Sequence, residues 1–322
     1  MNASILKFSN KLELRYSFND KSNYMDALIK HRCEKEILYL IRAVADLLDV
    51  KLTIYNEPYE KGGFREIWGV AGENARSISV VLNIVMQILT RSSLLPGGGQ
   101  PSVGRTEEDE EHMQRELAKL RQQLKLKPAG VFIPKELLEL LNGMPRFCKN
   151  KSNFYEALRG YPKVVKVSVR ELNEANNSRS GQLEVKRDQF DSFILRSDEM
   201  PAIKDNKAII EIISPVLKDS RYRWKGIYNK GGETIDFYMC DEDFKKDMFN
   251  EKISFTSGMC IDCVLVIERR LSELGETINV SYTVQTVIRT RFDKMEVVTP
   301  QGKRYLRQLK AEKQQLTLDL FG

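Results

Sequence analysis

The apolar residues of this chain change their period near residue 160, and that change limits what it can fold into. Before it, several segments repeat apolar side chains every three or four positions; after it, short runs alternate with a period of two. The first spacing lines one face of a helix and the second lines one face of a strand. A chain that segregates the two patterns along its length is expected to fold as α+β.

Leu12, Leu14, Tyr16 and Phe18 alternate as a strand, and Asp20 or Ser22 is placed to cap the helix that follows. Ile37, Leu40, Ile41, Val44 and Leu48 share one face of that helix. A strand over 51–55, a short helix over 65–70 and a longer helix over 74–92 complete a small α/β module at 1–95. Residues 96–106, with three consecutive glycines and no apolar anchor, read as a flexible linker. A helical connector spans 107–160, with helices over 107–126, 135–141 and 153–158, the last capped by Ser152. Short strands over 164–169, 183–185, 209–213, 222–228, 234–239, 263–267 and 280–288, interrupted by one helix over 242–249, predict an antiparallel barrel-like domain at 161–295. Residues 296–322 are expected to form a basic tail ending in a short apolar peptide.

Met113, Leu117, Leu120 and Leu124 follow a four-three-four spacing, as in a coiled-coil seam. The seam admits two occupants, a second copy in a homo-oligomer or another part of the same chain.

The chain has 322 residues, 42% hydrophobic and 30% charged, with a net charge of +6, a balance expected of a soluble globular protein. Lys7 and Lys11 interrupt the early apolar residues, so a signal peptide is not expected. The longest apolar run, 78–95, contains Asn83, Gln87 and Arg91 at every fourth position, which makes it an amphipathic helix and not a membrane span. Five widely spread cysteines fit reduced thiols in a cytoplasmic protein.

Catalytic chemistry finds little material. His31 and His112 lie on helices among charged residues, without a nucleophile or metal partner nearby in sequence. Cys260 and Cys263 have CxxC spacing, but no second ligand pair accompanies them, and a strand would point them to opposite faces. Asp241, Glu242, Asp243 and Asp247 form the densest acidic cluster; with Lys245 or Lys246 they could serve a metal-dependent nuclease, and with helix 242–249 they could serve as its cap and first turn. Glu57, Glu60 and Lys61 form a weaker nuclease-like set, and Gly62-Gly63 and Gly231-Gly232 are turn glycines without a phosphate-loop lysine. Trp224, flanked by Arg221, Arg223 and Lys225, is read as core-facing with its cations outward. The expectation is therefore no catalytic residue, no metal and no cofactor.

The C-terminal residues carry the functional reading. Lys303, Arg304, Arg307, Lys310 and Lys313 concentrate positive charge suited to nucleic acid or an acidic protein surface. Beyond them, Gln315, Leu316, Thr317, Leu318 and Leu320, followed by Phe321, resemble the sliding-clamp-binding motif of bacterial replication and repair proteins. Phe321 stands one place beyond the longer form of that pattern. The resemblance implies that Gln315 hydrogen-bonds the edge of a partner's cleft, that Leu316, Leu318, Leu320 and Phe321 fill it, and that the basic residues lie near DNA. The stretch from Ile212 through Trp224 to Phe249 also resembles the β-domain of uncharacterised bacterial proteins from phage-defence and mobile-element loci, without supplying a catalytic residue. The chain is thus expected to be a non-catalytic interaction or sensor subunit, with a metal-dependent nuclease or a membrane-disrupting effector built on 78–95 as the alternatives.

Overall fold

The computed structural model describes residues 8–20, 22–57, 64–92, 107–126, 133–216, 222–229, 232–250, 253, 255–293 and 295–319. Side-chain surroundings are described for all of these but 8, 107–109 and 312–319. The chain divides into two compact units, one of residues 1–198 with Leu271–Glu276, the other of Glu199–Arg270 with Thr277–Gly322. Helices and strands both contribute heavily, as the α+β reading requires.

The first unit opens with β1 (Phe8–Phe18), α1 (Ala27–Leu47), β2 (Leu52–Asn56), β3 (Phe64–Gly72) and α2 (Ala75–Thr90). It continues with α3 (Glu107–Leu126), α4 (Lys135–Asn142), α5 (Pro145–Arg159), β4 (Val164–Leu172) and β5 (Leu183–Lys186). The strands form one sheet in the order β2-β3-β1-β4-β5, antiparallel throughout. β1 and β2 run parallel with β3 between them, and β3 and β4 run parallel with β1 between them, so the split βαβ crossover occurs twice. One sheet face carries Leu12, Leu14, Tyr16, Trp68, Val70, Val167 and Val169 into a core shared with the helices.

Several expectations change here. The segment expected as a helix over 65–70 is β3, a central strand buried along nearly its whole length. A strand covered on both faces loses the alternation that marks an edge strand, so its sequence looks unpatterned. α1 is capped by Asp26, whose side chain accepts the amides of Leu28 and Ile29, whereas Asp20 accepts from Ser22. Ser152 lies inside α5, which starts at Pro145. The boundary expected at 160/161 is not where the units divide, because β4 pairs with β1 and thereby belongs to the first sheet.

The leucine seam is also resolved. Met113, Leu117, Leu120 and Leu124 are at most 6% exposed and belong to the core of their own chain. Arg121 fixes α3 there by donating through Nε and Nη2 to the Leu47 carbonyl at 2.9 and 2.7 Å. These side chains are therefore not free to line a contact with a second copy. α2 is likewise a core helix with Asn83 and Gln87 at its less buried positions. Among the described residues, no helix is long and apolar enough to cross a membrane.

The second unit is a closed barrel as expected, but it begins at Glu199 and not at 161, and it is not wholly antiparallel, since Thr283 and Val284 pair in parallel with Tyr238 and Met239. β6 (Glu199–Ser214), β7 (Trp224–Tyr228), β8 (Thr234–Met239), α6 (Glu242–Phe249), β9 (Cys260–Leu271), β10 (Thr277–Phe292), β11 (Met295–Val298) and α7 (Pro300–Asp319) follow in order. The strands run β10-β8-β7-β6-β9, and β9 pairs again with β10 to close the barrel, leaving β11 on the outside of β10. Closure leaves those five strands without a free edge. Trp224, Phe237, Phe244, Ile261 and Val284 fill the interior, and α6 adds Phe244 and Met248 to it. The residues expected to be a basic tail contribute β11 and a 20-residue helix, α7.

Candidate functional site

The root of α7 is built from short-range chemistry. The Thr299 side chain accepts the Gly302 amide at 2.9 Å and so caps the helix. Pro300 occupies the first helical position, where a missing N–H costs nothing. The Thr299 hydroxyl donates to the Val287 carbonyl of β10 at 2.6 Å. Gly302 lies against β10 so closely that a Cβ there would sit 2.0 Å from the Ile288 carbonyl oxygen. Only glycine lets the first turn of α7 approach the barrel this far.

Asp241 joins three elements at the same place. Its Oδ1 accepts the Phe244 amide at 2.9 Å, capping α6. Its Oδ2 accepts the Val287 amide of β10 at 2.7 Å and the Gln301 side-chain amide of α7 at 3.2 Å. Of the two readings of the acidic cluster, capping is the one the geometry realises. Asp243 pairs with Arg304 and Lys245 with Glu242, and the described residues hold no group of three or more His, Cys, Asp or Glu able to bind a metal ion. Glu57 pairs with Lys11 at 2.8 Å; Glu60 and Lys61 lie outside the described residues.

From this root α7 displays Lys303, Arg304, Arg307 and Lys310, all exposed. Lys303, Arg307 and Lys310 are spaced by four and three residues, which places them on one stripe of the helix. Arg304 is turned toward Asp243 of α6. Gln315, Leu316 and Leu318 fall within the helical backbone of α7; their side chains and that of Lys313 lie outside the described residues, as do Leu320 and Phe321.

The remaining candidates are structural. Cys263 is buried and Cys260 half-buried, on opposite faces of β9 as the odd spacing requires. Burial pushes the Cys263 thiol well above the usual range, which makes it a poor nucleophile. Trp224 is 2% exposed in the barrel core, and Arg223 lies over the Tyr238 ring, 5.0 Å from its centre. His31 and His112 are exposed on α1 and α3.

The first unit holds a feature that the sequence reading missed. A pocket of about 390 Å³ lies between α1 and β2, the end strand of its sheet. Glu34, Leu38 and Arg42 contribute from α1, Ile54 and Asn56 from β2, and Trp68 from β3. The Glu34 carboxylate accepts from Lys30 Nζ at 3.2 Å and from Asn56 Nδ2 at 3.4 Å. Lys30 Nζ also stands 3.4 Å from Oε2 of Glu66, a buried carboxyl on β3. The Tyr16 hydroxyl also faces Glu66 and Cys33, and the Trp68 indole N–H, which lines the pocket, has no hydrogen-bond partner among the described residues. Burial raises the Glu66 pKa to about 7, with Lys30 opposing the shift and Glu34 adding to it. The same burial drives the neighbouring Tyr16 hydroxyl and Cys33 thiol upward, so both stay protonated.

Comparison with protein-family models, with curated proteins and with solved structures gives no match to this chain.

Proposed function

We propose that this chain is a non-catalytic interaction subunit that docks on a component of DNA replication or repair, with the sliding clamp as the first candidate. The observation that carries the reading is the exposed cationic stripe of Lys303, Arg307 and Lys310 on a helix rooted in a closed barrel. A rooted helix holds its charges in fixed register, which favours attraction to phosphates or to an acidic protein face over non-specific solvation. The motif resemblance at Gln315–Phe321 adds apolar anchors just beyond that stripe, and a few such anchors can supply most of the energy of docking. All five cysteines are free, which suits a reducing cytoplasm. Placement in bacterial phage defence rests on the sequence resemblance of the barrel segment.

The test is a pull-down and titration of the full chain against purified sliding clamp, with and without DNA. Loss of binding on deleting residues 315–321, and weakening by the triple change K303E, R307E and K310E, are the expected results. Binding that survives the deletion unchanged would remove the clamp reading.

A further inference from the structure

We propose that the face of the first unit's sheet turned away from the helices binds single-stranded DNA, with phosphates on a layer of arginines and a base on the Tyr55 ring. The charge and ring chemistry is independent of α7; only the choice of DNA over RNA rests on the docking reading.

The register of the sheet assembles this surface. Leu12, Leu14 and Tyr16 of β1 point into the core shared with the helices, and Asn10 on the same side donates to Ser79 of α2 at 2.8 Å. Lys11, Glu13, Arg15 and Ser17 therefore point the other way. Opposite Glu13 stand Ile67 of β3 and Arg170 of β4, and opposite Arg15 stand Arg65 and Ser168. Ser17 is opposite Lys166, which in turn is opposite Lys186 of β5. Ile67, Ala71 and Leu172 on this side are buried, yet they lie outside the core that the helices share. What solvent meets here is a layer of charged and aromatic side chains laid across the strands.

That layer is cationic by construction. Glu13 is 3% exposed and accepts from Arg65 Nη1 at 3.3 Å and from Arg170 Nε. The acid lies beneath and fixes two guanidiniums, whose side chains remain 19% and 28% exposed. Arg15 stands beside Arg65, Lys166 pairs with Glu184 at 3.0 Å, and Lys186 is exposed at the end of the row. Among the described residues these five cations meet two acids, Glu13 and Glu184, so positive charge is in excess. A fixed cationic layer is complementary to a phosphate backbone.

Tyr55 adds the selectivity. A Cβ on Gly69 would stand 2.1 Å from two carbons of the Tyr55 ring, so the ring rests on the β3 backbone where glycine leaves room. It is 39% exposed. An aromatic ring held on a strand and reachable from solvent is a stacking platform for an unpaired base. A duplex hides the faces of its bases, and an acidic protein surface has none, so the ring favours a single strand over both. Gly69 and Arg65 lie four residues apart on β3, about 13 Å, which a few nucleotides of extended strand cover.

The experiment is fluorescence anisotropy of a labelled oligothymidylate of about 20 nucleotides, titrated with the full-length chain at several salt concentrations. Expected are saturable binding that weakens as salt rises, and tighter binding than that of oligouridylate or duplex DNA of the same length. Arg15→Gln combined with Lys186→Glu leaves Glu13 its two arginines. It should weaken binding roughly tenfold or more and flatten the salt dependence, each lost phosphate contact removing about 0.7 from the logarithmic slope. Tyr55→Ala should weaken binding roughly fivefold or more without changing that slope. The α7 change K303E, R307E and K310E should leave the Tyr55 dependence intact. Clamp docking is read in the separate pull-down, so either reading can fail while the other stands. No saturable binding, tighter binding of oligouridylate or duplex, or an affinity that both sheet variants leave unchanged would overturn the proposal.

Discussion

The amide of Val287 donates to Asp241 Oδ2 at 2.7 Å, and through that contact a helix cap becomes the joint between α6, β10 and α7. Asp241 is buried, and its three donors have no solvent to fall back on.

Asp241→Ala should therefore cost roughly 3 kcal/mol or more of stability, because it leaves buried N–H groups unpaired. Urea denaturation of the full chain measures it. A loss below about 1 kcal/mol would show that the joint is not important to the barrel.

Gly302→Ala probes the same joint by steric means. The added methyl would lie 2.0 Å from the Ile288 carbonyl oxygen, a backbone atom that cannot step aside. The expected loss is about 2 kcal/mol, within the range for overpacked sites, and hydrogen exchange should rise in the first turn of α7. Protection equal to wild type would contradict the close approach.

Leu117→Ala tests whether the seam on α3 is core or interface. Leu117 is fully buried in its own unit, so the change should cost about 2–5 kcal/mol by leaving a cavity. Because the loss is intramolecular, it should be independent of protein concentration in sedimentation and denaturation measurements.

Glu66 makes stability fall as the solution turns from acid to neutral. Its pKa is about 7 in the folded protein and near its ordinary value of 4.5 when unfolded. The native state then holds a proton that the unfolded state has released. The contribution is complete below about 4.5 and is lost as the pH rises through about 7, on the order of 3 kcal/mol in all. Glu66→Gln should flatten the denaturation midpoint across this window.

Lys151 has the opposite slope at higher pH. It is wholly buried, donates to the Arg91 carbonyl at 2.8 Å, and burial lowers its pKa from 10.5 to about 8. Between those values the unfolded chain binds the proton and the native chain does not, so stability rises with pH from about 8 to 10.5. Lys151→Met should abolish that rise; a slope that survives the change assigns it to other groups.

Local pattern carried much of this fold. The run Glu107–Leu126 gave α3 with its ends correct, the polar stripe of Asn83 and Gln87 gave the outer side of α2, and Asp241 before an acidic first turn gave the cap of α6. The short alternating segments after Val164 gave strands, but the first two of them, β4 and β5, belong to the first sheet and only the later ones build the barrel. In each case one element buries one face, and a period of two or about 3.6 residues records which face that is. Where that condition failed, so did the reading. β3 is covered on both sides and lost its alternation. α7 was read as a charged tail, although Thr299-Pro300 carries the cap and first-turn signature of a helix.

Tertiary structure alone decided the partners. Leu117 has the same spacing whether it faces a second copy or its own core, and only the packing of α3 chose between them. The pocket unites Glu34, Asn56 and Trp68 because the crossover from β1 through α1 to β2 leaves room for β3. The poise of Glu66 near neutrality comes from desolvation by residues distant in sequence. Periodicity encodes which side of an element is buried; it does not encode what buries it, and charge, burial and binding all depend on the second.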